Sequence, residues 1–385
     1  MGSESHAATA RKDYGGMFEN FRSLTPKGKR HIIIAMLILV IPVSVYALAG
    51  SIHMYENKIS ATEKYDDRME ISPEKMAEFE IPKAAYPVKV GLYMESISDV
   101  SVAANSWKAK FLLWFSWEGD HWTPEEYPGE NFIIGNGHQT DKTLLEEYHE
   151  NGVHYQQYRI FATIEKYFDT TRYPLDSHQL KIFIESDKDM SEVYYLADTE
   201  NSGTSPYLSI AGFDILNIDV GLYLNEYSSS MGQPVLTEKG FDGKKTFEYV
   251  FVTRVNRAGY SLFLKAFLSL LSILLWVCIS LYNCAYNQND AMGAINTGIF
   301  GVVSSMIVGM NLLSDARGGG LIEYINFFSL AMILIITVYV IRINRFRAKN
   351  VSEAFVTSYA KSLFWCASAL SVVSIAMFVL SAGFF

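Results

Sequence analysis

TFEYVFVTRVNRAGYSLFLKAFLSLLSILLW, residues 246–276, contains the transition that decides the fold. Its first half alternates apolar and polar residues, which is the pattern of a half-buried β-strand. Its second half is an apolar run long enough for a helix across a hydrocarbon core of about 30 Å. Only a few residues separate the two patterns. A β-domain is therefore predicted to continue into the membrane without a flexible linker.

The hydropathy of the 385-residue chain is strongly partitioned, with 50% of its residues hydrophobic and 19% charged. Five apolar runs are each about long enough to cross a bilayer as a helix. They lie at Ile32–Gly50, Ser261–Asn283, Ala291–Leu313, Leu321–Ile343 and Leu363–Phe384. The close spacing of the last four runs and their lack of charges argue against one large soluble protein. A multi-pass membrane protein is predicted.

Basic residues set the predicted orientation. They precede the first apolar run and separate the last two, and the positive-inside rule places both segments in the cytoplasm. Residues 52–258 then lie outside, in the periplasm or extracellular space, and the protein lies in the cell (inner) membrane. Ala47 and Ala49 in the stretch YALAG resemble a signal-peptidase site. The first run is predicted to be a retained anchor, with a cleaved signal peptide as the alternative.

Between the first and second apolar runs, short segments alternate and are rich in aromatic and β-branched residues. Gly, Asn, Asp and Pro clusters separate them, which is typical of an antiparallel β-sandwich. The fold class is therefore an α+β membrane protein. The predicted domains are a cytoplasmic segment (1–30), the anchor (31–50), a connector (51–85), the sandwich (86–258) and a four-helix transmembrane domain (259–385). All three cysteines (Cys278, Cys284, Cys366) lie in or beside membrane runs, so the sandwich has no disulfide.

Several classes of function find no support in the sequence. The net charge of −9 lies mostly in the exported segment and argues against a nucleic-acid partner. No Gly-rich phosphate loop, nucleophile elbow or HExxH motif is present, so neither an enzyme nor a cofactor is predicted. One stretch offers six candidate metal ligands, but their spacing fits no defined zinc pattern, and a solvated loop is predicted there: His138, Asp141, Glu146, Glu147, His149 and His154. Glu125, Glu126 and Glu130 make an equally weak case for calcium.

FDTTRYPLDSHQL, residues 168–180, is a compact turn that leads into an alternating strand. Pro174 fixes its own φ and pushes Tyr173 toward extended geometry. The stretch resembles the Pro-loop of pentameric ligand-gated ion channels, the Cys-loop receptor superfamily, in the cysteine-free form of prokaryotic members. Residues 88–120 resemble that family's first two strands, and FDILNIDVGLY and YVFVTRVNRAGYSL resemble its later ones. Four apolar runs follow in the expected order, so the resemblance covers residues 86–384.

The resemblance implies a homopentamer in a lipid bilayer that is opened by a small-molecule ligand or by protons and conducts monovalent cations. A non-conducting pentameric receptor or scaffold of the same fold is the alternative. The missing proline of the first membrane helix and the stripe of small residues in the second favour that alternative, and the ligand loop is a further departure from the family. Ser269 stands where the family's first membrane helix usually carries a proline, and the loop ENFIIGNG lacks the family's Trp-x-Pro motif.

The resemblance also implies a coupling region. The Ser98–Asn105 turn, the Pro-loop and the Ser314–Glu323 connector are expected to meet at the membrane surface. Asp176 and Arg257 are the expected ion pair there. The implied coupling residues are Asp169, Arg172, Pro174, Asp176, Arg254 and Arg257.

The resemblance implies that a ligand binds between adjacent sandwiches, near the loops Asn131–Gly137, Ser186–Tyr195 and Tyr227–Lys245. Aromatic side chains there could form a cation–π box for an amine, although such residues are also common in a sandwich core. The candidate ligand-binding residues are Trp114, Trp117, Tyr194, Tyr195, Tyr223, Tyr227 and Phe241.

The second C-terminal apolar run carries small residues on one predicted helix face and large aliphatic residues on the other. The small face is either a packing seam between helices or the lining of a pore. If the large face lines the pore instead, Ile295, Val302 and Met306 could form a gate that closes by dewetting. An aspartate ring at residue 290 would favour cations, whereas an asparagine ring at residue 287 would discriminate weakly, and cation selectivity is predicted. The candidate pore-lining residues are Asn287, Asp290, Ala294, Gly298, Gly301, Ser305 and Val308.

Overall fold

The computed structural model describes residues 21–66, 84–229, 244–257, 259–312 and 320–384. The chain divides into two compact units. The helical unit comprises Met1–Glu56, Thr171–Tyr173 and Leu262–Phe385, and the β unit comprises Asn57–Thr170 and Pro174–Ser261. The protein is thus a mixture of β-sheets and apolar helices.

The strands of the β unit form two sheets. In chain order they are β1 (Tyr86–Ser101), β2 (Ser106–Glu118), β3 (Phe132–Ile134), β4 (Gly137–Glu150), β5 (Val153–Glu165), β6 (Ser177–Ser186), β7 (Val193–Ala197), β8 (Gly203–Thr204), β9 (Phe213–Tyr227) and β10 (Lys244–Arg257). The first sheet has the order β4-β5-β2-β1-β7, with β8 also paired to β1, and the second has the order β3-β6-β10-β9.

The first sheet is mixed, which corrects the prediction of purely antiparallel strands. Strand β1 pairs in parallel with β7 and with β8, whereas the other paired strands are antiparallel. The reason lies in the connection: the chain leaves β6 in the second sheet and returns to the first sheet beside the start of β1. The Tyr86 amide begins this pairing by donating to the Glu192 carbonyl oxygen (2.9 Å).

Strand β4 corrects a second prediction, because the stretch from His138 to Glu150 is a strand and not a solvated loop. It is an edge strand that pairs only with β5. None of its residues is buried. A strand exposed on both faces has no reason to alternate apolar and polar residues, so the sequence carries no period-2 signal.

One hydrophobic core in the β unit contains buried residues from strands of both sheets. Phe111 and Phe115 belong to β2, and Phe247 and Phe251 belong to β10, and all four are 0% exposed. Burial of each such ring contributes about 1.5–3 kcal/mol to stability. The alternation that predicted these strands is therefore the pattern that fills the core.

The helical unit contains α1 (Pro26–Asp66), α2 (Gly259–Tyr286), α3 (Met292–Leu312), α4 (Leu321–Ala348) and α5 (Glu353–Val379). Among the described residues, three helices are long and apolar enough to cross a membrane, at Pro26–Ser60, Leu321–Ala348 and Glu353–Gly383. Helix α2 is a fourth if its two parts, bent by 43° between Leu268 and Leu270, form one span. The Ser272 hydroxyl donates to the Leu268 carbonyl (2.8 Å), a bond that often bends helices.

Helix α1 packs closely on α4 and α5. A Cβ atom on Gly50 would lie 2.6 Å from Phe378 Cε1 and 2.7 Å from Tyr324 Cδ1, so only glycine fits. The Tyr46 ring lies near both aromatic rings, at centroid distances of 5.9 Å from Tyr324 and 6.2 Å from Phe378. The first apolar run is therefore a packed member of the helical unit, and its helix extends into the predicted connector.

Candidate functional site

A pair of buried carboxylates lies on neighbouring strands of the second sheet. Glu185 on β6 and Glu248 on β10 are directly opposite each other and are 3% and 7% exposed. Glu185 accepts hydrogen bonds from the hydroxyls of Tyr227 (2.7 and 2.8 Å) and Thr246 (2.5 Å). Glu248 accepts one from the Asn225 side-chain amide (3.2 Å). Two carboxylates this close make the surroundings favourable for a cation.

The predicted ligand loop Asn131–Gly137 lies beside these carboxylates. A Cβ atom on Gly135 would be 3.3 Å from Glu248 Oε1. The Gly135 amide donates to the Phe183 carbonyl (2.9 Å), and the Asn136 side chain bonds the backbone of Lys181 (2.8 Å). The loop is thus fixed to β6 with its glycine next to the carboxylate pair.

The predicted aromatic ligand residues fall into two groups. Trp114, Trp117 and Tyr195 are buried at 8%, 3% and 0% exposure and are accounted for by packing. Tyr194, Tyr223 and Tyr227 are half-buried. Tyr223 is the direct cross-strand partner of Glu248. Tyr227 donates a hydrogen bond to Glu185, and burial together with Glu185 raises the pKa of its phenol.

Two predicted features fall outside the part of the chain that the structure describes. Phe241 is one, together with most of the Tyr227–Lys245 loop. Residues 314–319 of the predicted connector are the other. Glu185 and Glu248 were missed by the sequence reasoning. The sequence does contain a feature that could have identified them: each is an acidic residue within a strand that is otherwise largely apolar.

The Pro-loop ends in a second buried cluster, within the β unit. The Asp176 and His178 side chains are both 1% exposed, with Oδ2 and Nε2 2.6 Å apart. Arg257 Nε donates to both carboxylate oxygens of Asp176 at 2.8 and 3.0 Å. The guanidinium also lies over the Phe213 ring at 4.8 Å. The structure thus places the expected ion pair at the last residue of β10.

The electrostatics of this cluster follow from its burial. Burial by itself would raise the pKa of Asp176, but hydrogen bonds and charges from His178 and Arg257 outweigh it and lower that pKa. Burial lowers the pKa of His178 despite its bond to Asp176, and Lys166 and Arg257 add to this effect. His178 is therefore neutral at pH 7, with its proton on Nε2 donated to a carboxylate that can only accept.

The other predicted coupling residues have separate surroundings. Arg254 pairs with Asp219 (Nε–Oδ2 2.8 Å). Asp169 accepts from the Asn57 amide (3.4 Å). Pro174 is buried and Arg172 half-buried.

The tip of the Pro-loop, Thr171–Tyr173, is assigned to the helical unit. There the Leu321 amide at the start of α4 donates to the Thr171 carbonyl oxygen at 2.8 Å. This bond satisfies one of the backbone N–H groups that a helix leaves without an intrahelical partner in its first turn.

Helix α3 has a buried face and an exposed face, and small residues occur on both. The buried face contains Ile295, Gly298, Val302 and Ser305. Cβ atoms on Gly298 and Gly301 would lie 3.1 Å from Val277 Cγ2 and 2.5 Å from Ile273 Cδ1 of α2. These glycines therefore allow close packing of α2 and α3.

The exposed face of α3 carries four residues one turn apart, which are Thr297, Phe300, Ser304 and Ile307. Phe300 is 76% exposed and Ile307 is 56% exposed. Hydroxyl and bulky apolar groups thus alternate along one face. Val308 belongs to a part of α3 whose side chains lie outside the described residues.

Two predicted pore residues precede α3, and both are exposed. Asp290 Oδ1 accepts hydrogen bonds from the Met292 amide (3.0 Å) and the Asn344 side chain (2.9 Å). The bond from Asn344 is the main reason why the pKa of Asp290 is lowered, so its carboxylate is ionised at neutral pH. Asn287 bonds the Asn283 side chain (2.9 Å).

The candidate metal ligands are brought together only in part. His149 and His154 meet, and they are joined by Asp120, which the sequence reasoning did not name. His138, Asp141, Glu146 and Glu147 are not members of this group, which is the one such group among the described residues. Of the calcium candidates, Glu126 accepts from Thr123, and Glu130 binds Lys142 and Tyr158.

Comparisons with known proteins do not assign a family to this chain. A scan against protein-family models gives no match, and a search of curated proteins gives none. The function must therefore be inferred from the chain's own residues and their geometry.

Proposed function

We propose that this chain is the subunit of a pentameric ion channel that a ligand or protons open and that conducts cations. The observation that carries the proposal is the passage from sheet to membrane helix. Strand β10 ends at Arg257 and helix α2 begins at Gly259, and further apolar helices follow. We propose that the two sheets, which share one core, form a β-sandwich and that α2–α5 form a four-helix bundle in each subunit.

Helix α3 supports a conducting pathway. If its exposed face lines a five-fold axis, Thr297 and Ser304 supply rings of hydroxyls that can solvate ions. Phe300 and Ile307 supply apolar rings that can close a pore by dewetting. The ionised Asp290 at the start of α3 favours cations over anions.

The carboxylate pair supports a cationic agonist. Glu185 and Glu248 lie beside the loop in which the resemblance places the ligand, with the Tyr227 phenol in contact. An amine could pair with the carboxylates and lie against the tyrosine ring.

Coupling would pass along the continuous chain. The Asp176–Arg257 pair holds the end of β10 to the Pro-loop, so a movement of β10 reaches the first residues of α2 through covalent connection. Buried pairs of this kind set geometry more than they add stability.

A non-conducting pentameric receptor is the second candidate. It is favoured by Phe300, because five such rings around an axis would obstruct it. In this case the β unit would bind the ligand and the helices would serve only as an anchor.

Flux across vesicles reconstituted with the full chain tests the proposal. We expect sodium flux evoked by amines or by acidification, and native mass measurement in detergent should give five copies. Phe300→Ala should raise basal flux about tenfold, the effect of ~1.4 kcal/mol on a closed–open equilibrium. The control is Val372→Ala on α5, which is 70% exposed and should have no effect.

Flux that is absent under all conditions from a verified pentamer would support the receptor. A monomer or dimer in the mass measurement would contradict both candidates. An equal change of basal flux in Phe300→Ala and Val372→Ala would show that Phe300 does not close the pore.

A further inference from the structure

The tip of the β4–β5 hairpin holds two histidines in a fixed register. Asn151 and Gly152 form its two-residue connection with φ of 52° and 79°, as a type I′ turn requires at both positions. This turn places His149 directly opposite His154, and such partners have Cβ atoms about 5 Å apart. The imidazole rings stack with centroids 3.9 Å apart.

A carboxylate reaches the same place from the end of β2. The Gly119 amide donates to the Gly152 carbonyl (2.9 Å), which fixes the chain leaving β2 against the hairpin turn. The next residue is Asp120, whose Oδ1 lies 2.8 Å from His154 Nε2 and 3.9 Å from His149 Nε2. One ligand atom from each of these three side chains lies within 4.8 Å of the others.

The three groups differ in how firmly they are held. The His154 side chain is 9% exposed, and its ring lies parallel to that of Trp117 with centroids 5.1 Å apart. The His149 and Asp120 side chains are 46% and 80% exposed. One potential ligand is therefore fixed by packing, and the other two face solvent on the side from which an ion would enter.

We propose that Asp120, His149 and His154 bind a divalent transition-metal ion, with Zn²⁺ as the best match. Two imidazoles and one carboxylate, with a fourth position for water, are a donor set that zinc uses in open sites. Calcium and magnesium prefer oxygen ligands and higher coordination numbers, so two imidazoles disfavour them.

Binding requires only a small rearrangement. Zinc–ligand bonds of about 2.0 Å place tetrahedral donor atoms roughly 3.3 Å apart. The Asp120–His154 contact must lengthen slightly, and His149 must turn out of the ring stack to direct Nε2 at the ion. Its exposure leaves room for that rotation. The bound ion would connect the end of β2 to the β4–β5 hairpin whether or not the assembly conducts.

Metal binding to the full chain in detergent, purified without a histidine tag, tests this proposal. Calorimetric titration should give one Zn²⁺ per chain, and Co²⁺ should give the visible absorption of a tetrahedral site. His149→Ala should lower the zinc affinity by roughly 100-fold, since even the loss of an outer-shell partner costs 10- to 100-fold. The control is His138→Ala, which removes an exposed histidine from the same strand and should leave the affinity unchanged.

His149 is exposed, so its loss should leave the fold intact, and circular dichroism checks this. Asp120→Asn should weaken binding less than His149→Ala, because an amide oxygen is still a ligand, although a poorer one than a carboxylate, whereas alanine supplies no donor atom. The proposal is overturned if His149→Ala binds zinc as tightly as the unaltered chain or if His138→Ala loses as much affinity as His149→Ala. It is also overturned if the unaltered chain binds no zinc at ~1 mM.

Discussion

Asp176 shows how a single side chain can fix the geometry of a turn. Its carboxylate is 1% exposed and is stabilised by Arg257 on one side and His178 on the other. Removal of one partner would leave a buried charge without compensation, and such losses cost about 3–5 kcal/mol. The role of the pair is therefore best measured as a coupling between its two members.

We predict that Asp176→Asn and Arg257→Gln each destabilise the full chain by about 3 kcal/mol, whereas the double variant loses less than the sum. The measurement is urea unfolding in detergent followed by tryptophan fluorescence, to which Trp107, Trp114, Trp117 and Trp122 of the β unit contribute. The control is Asp219→Asn. It breaks the half-exposed pair with Arg254 and should cost less than ~1 kcal/mol. Strictly additive losses for Asp176 and Arg257 would show that they act independently.

The lowered pKa of His178 leads us to predict that the stability of the protein depends on pH. Its pKa in the folded protein is below the unfolded value of about 6.5, so the unfolded chain takes up the proton first as the pH falls. The free energy of unfolding should therefore decrease below about pH 6.5, by up to ~1.4 kcal/mol per pH unit. Asp176, whose folded pKa is also lowered, adds a further loss only below about pH 4.

His178→Gln should flatten the decrease between pH 7 and pH 5, as measured by urea unfolding at each pH. Lys166, whose pKa is lowered to about 8 by burial, stays charged in both states over this range and does not contribute. An unchanged slope in His178→Gln would assign the pH dependence to another group.

At the residue scale, the sequence predicts contacts that are local or supported by the family resemblance. The Asp176–Arg257 pair is of this kind. His149 and His154 could also have been paired from the sequence, because His-x-Asn-Gly-x-His is a two-residue hairpin with its histidines opposite each other. Asp120 could not have been added to this pair from the sequence. Its position depends on the hydrogen bond between the Gly119 amide and the carbonyl of Gly152, which lies 33 residues further along the chain.

Glycine positions within strands decide how closely two elements approach. Gly91 on β1 is the direct partner of Trp114 on β2, and a Cβ atom on Gly91 would lie 2.2 Å from Trp114 Cζ2. The indole cannot retreat easily, because it is 8% exposed and donates to Asp198 Oδ2 (3.1 Å). The Trp114 ring thus packs directly on the backbone of Gly91 and occupies the space that a side chain there would need.

We predict that Gly91→Ala destabilises the chain by about 1–3 kcal/mol, the usual range for overpacking. Thermal and urea unfolding of the full chain in detergent measure this. Gly203→Ala is the matched control in the paired strand β8, because its new Cβ atom would be 3.8 Å from the nearest atom, the Tyr93 ring. Its effect should stay within ~0.5 kcal/mol. Equal effects of the two changes would mean that the ring at Trp114 moves aside without cost.

At the element scale, the strength of the period-2 signal determined what the sequence could predict. Strands with one buried face, such as β2 and β5, were predicted because their alternation is strong. Strand β4 was not, because neither of its faces is buried. The parallel pairing of β7 with β1 also escaped prediction, since its register depends on a return between sheets and not on residues within the strand.

At the scale of the whole molecule, the sequence predicts a β-rich segment followed by apolar helices, because hydropathy is a property of each segment by itself. It does not predict how α3 is oriented. The small residues on α3 suggested one uniform face, yet packing uses Gly298 and Gly301, while Thr297 and Ser304 are exposed. The number of subunits depends on contacts between chains and stays a prediction.

The hairpin turn at Asn151–Gly152 has a consequence for the ageing of the protein. In an Asn-Gly sequence the backbone nitrogen after the asparagine can attack the side-chain amide carbon and expel ammonia, because glycine offers little steric hindrance. The cyclic imide that forms opens largely to isoaspartate, which adds one carbon to the backbone path. A two-residue turn cannot absorb an extra backbone atom without shifting its strands. Deamidation would therefore displace His149 from His154, and old preparations would lose zinc affinity in proportion to their isoaspartate content.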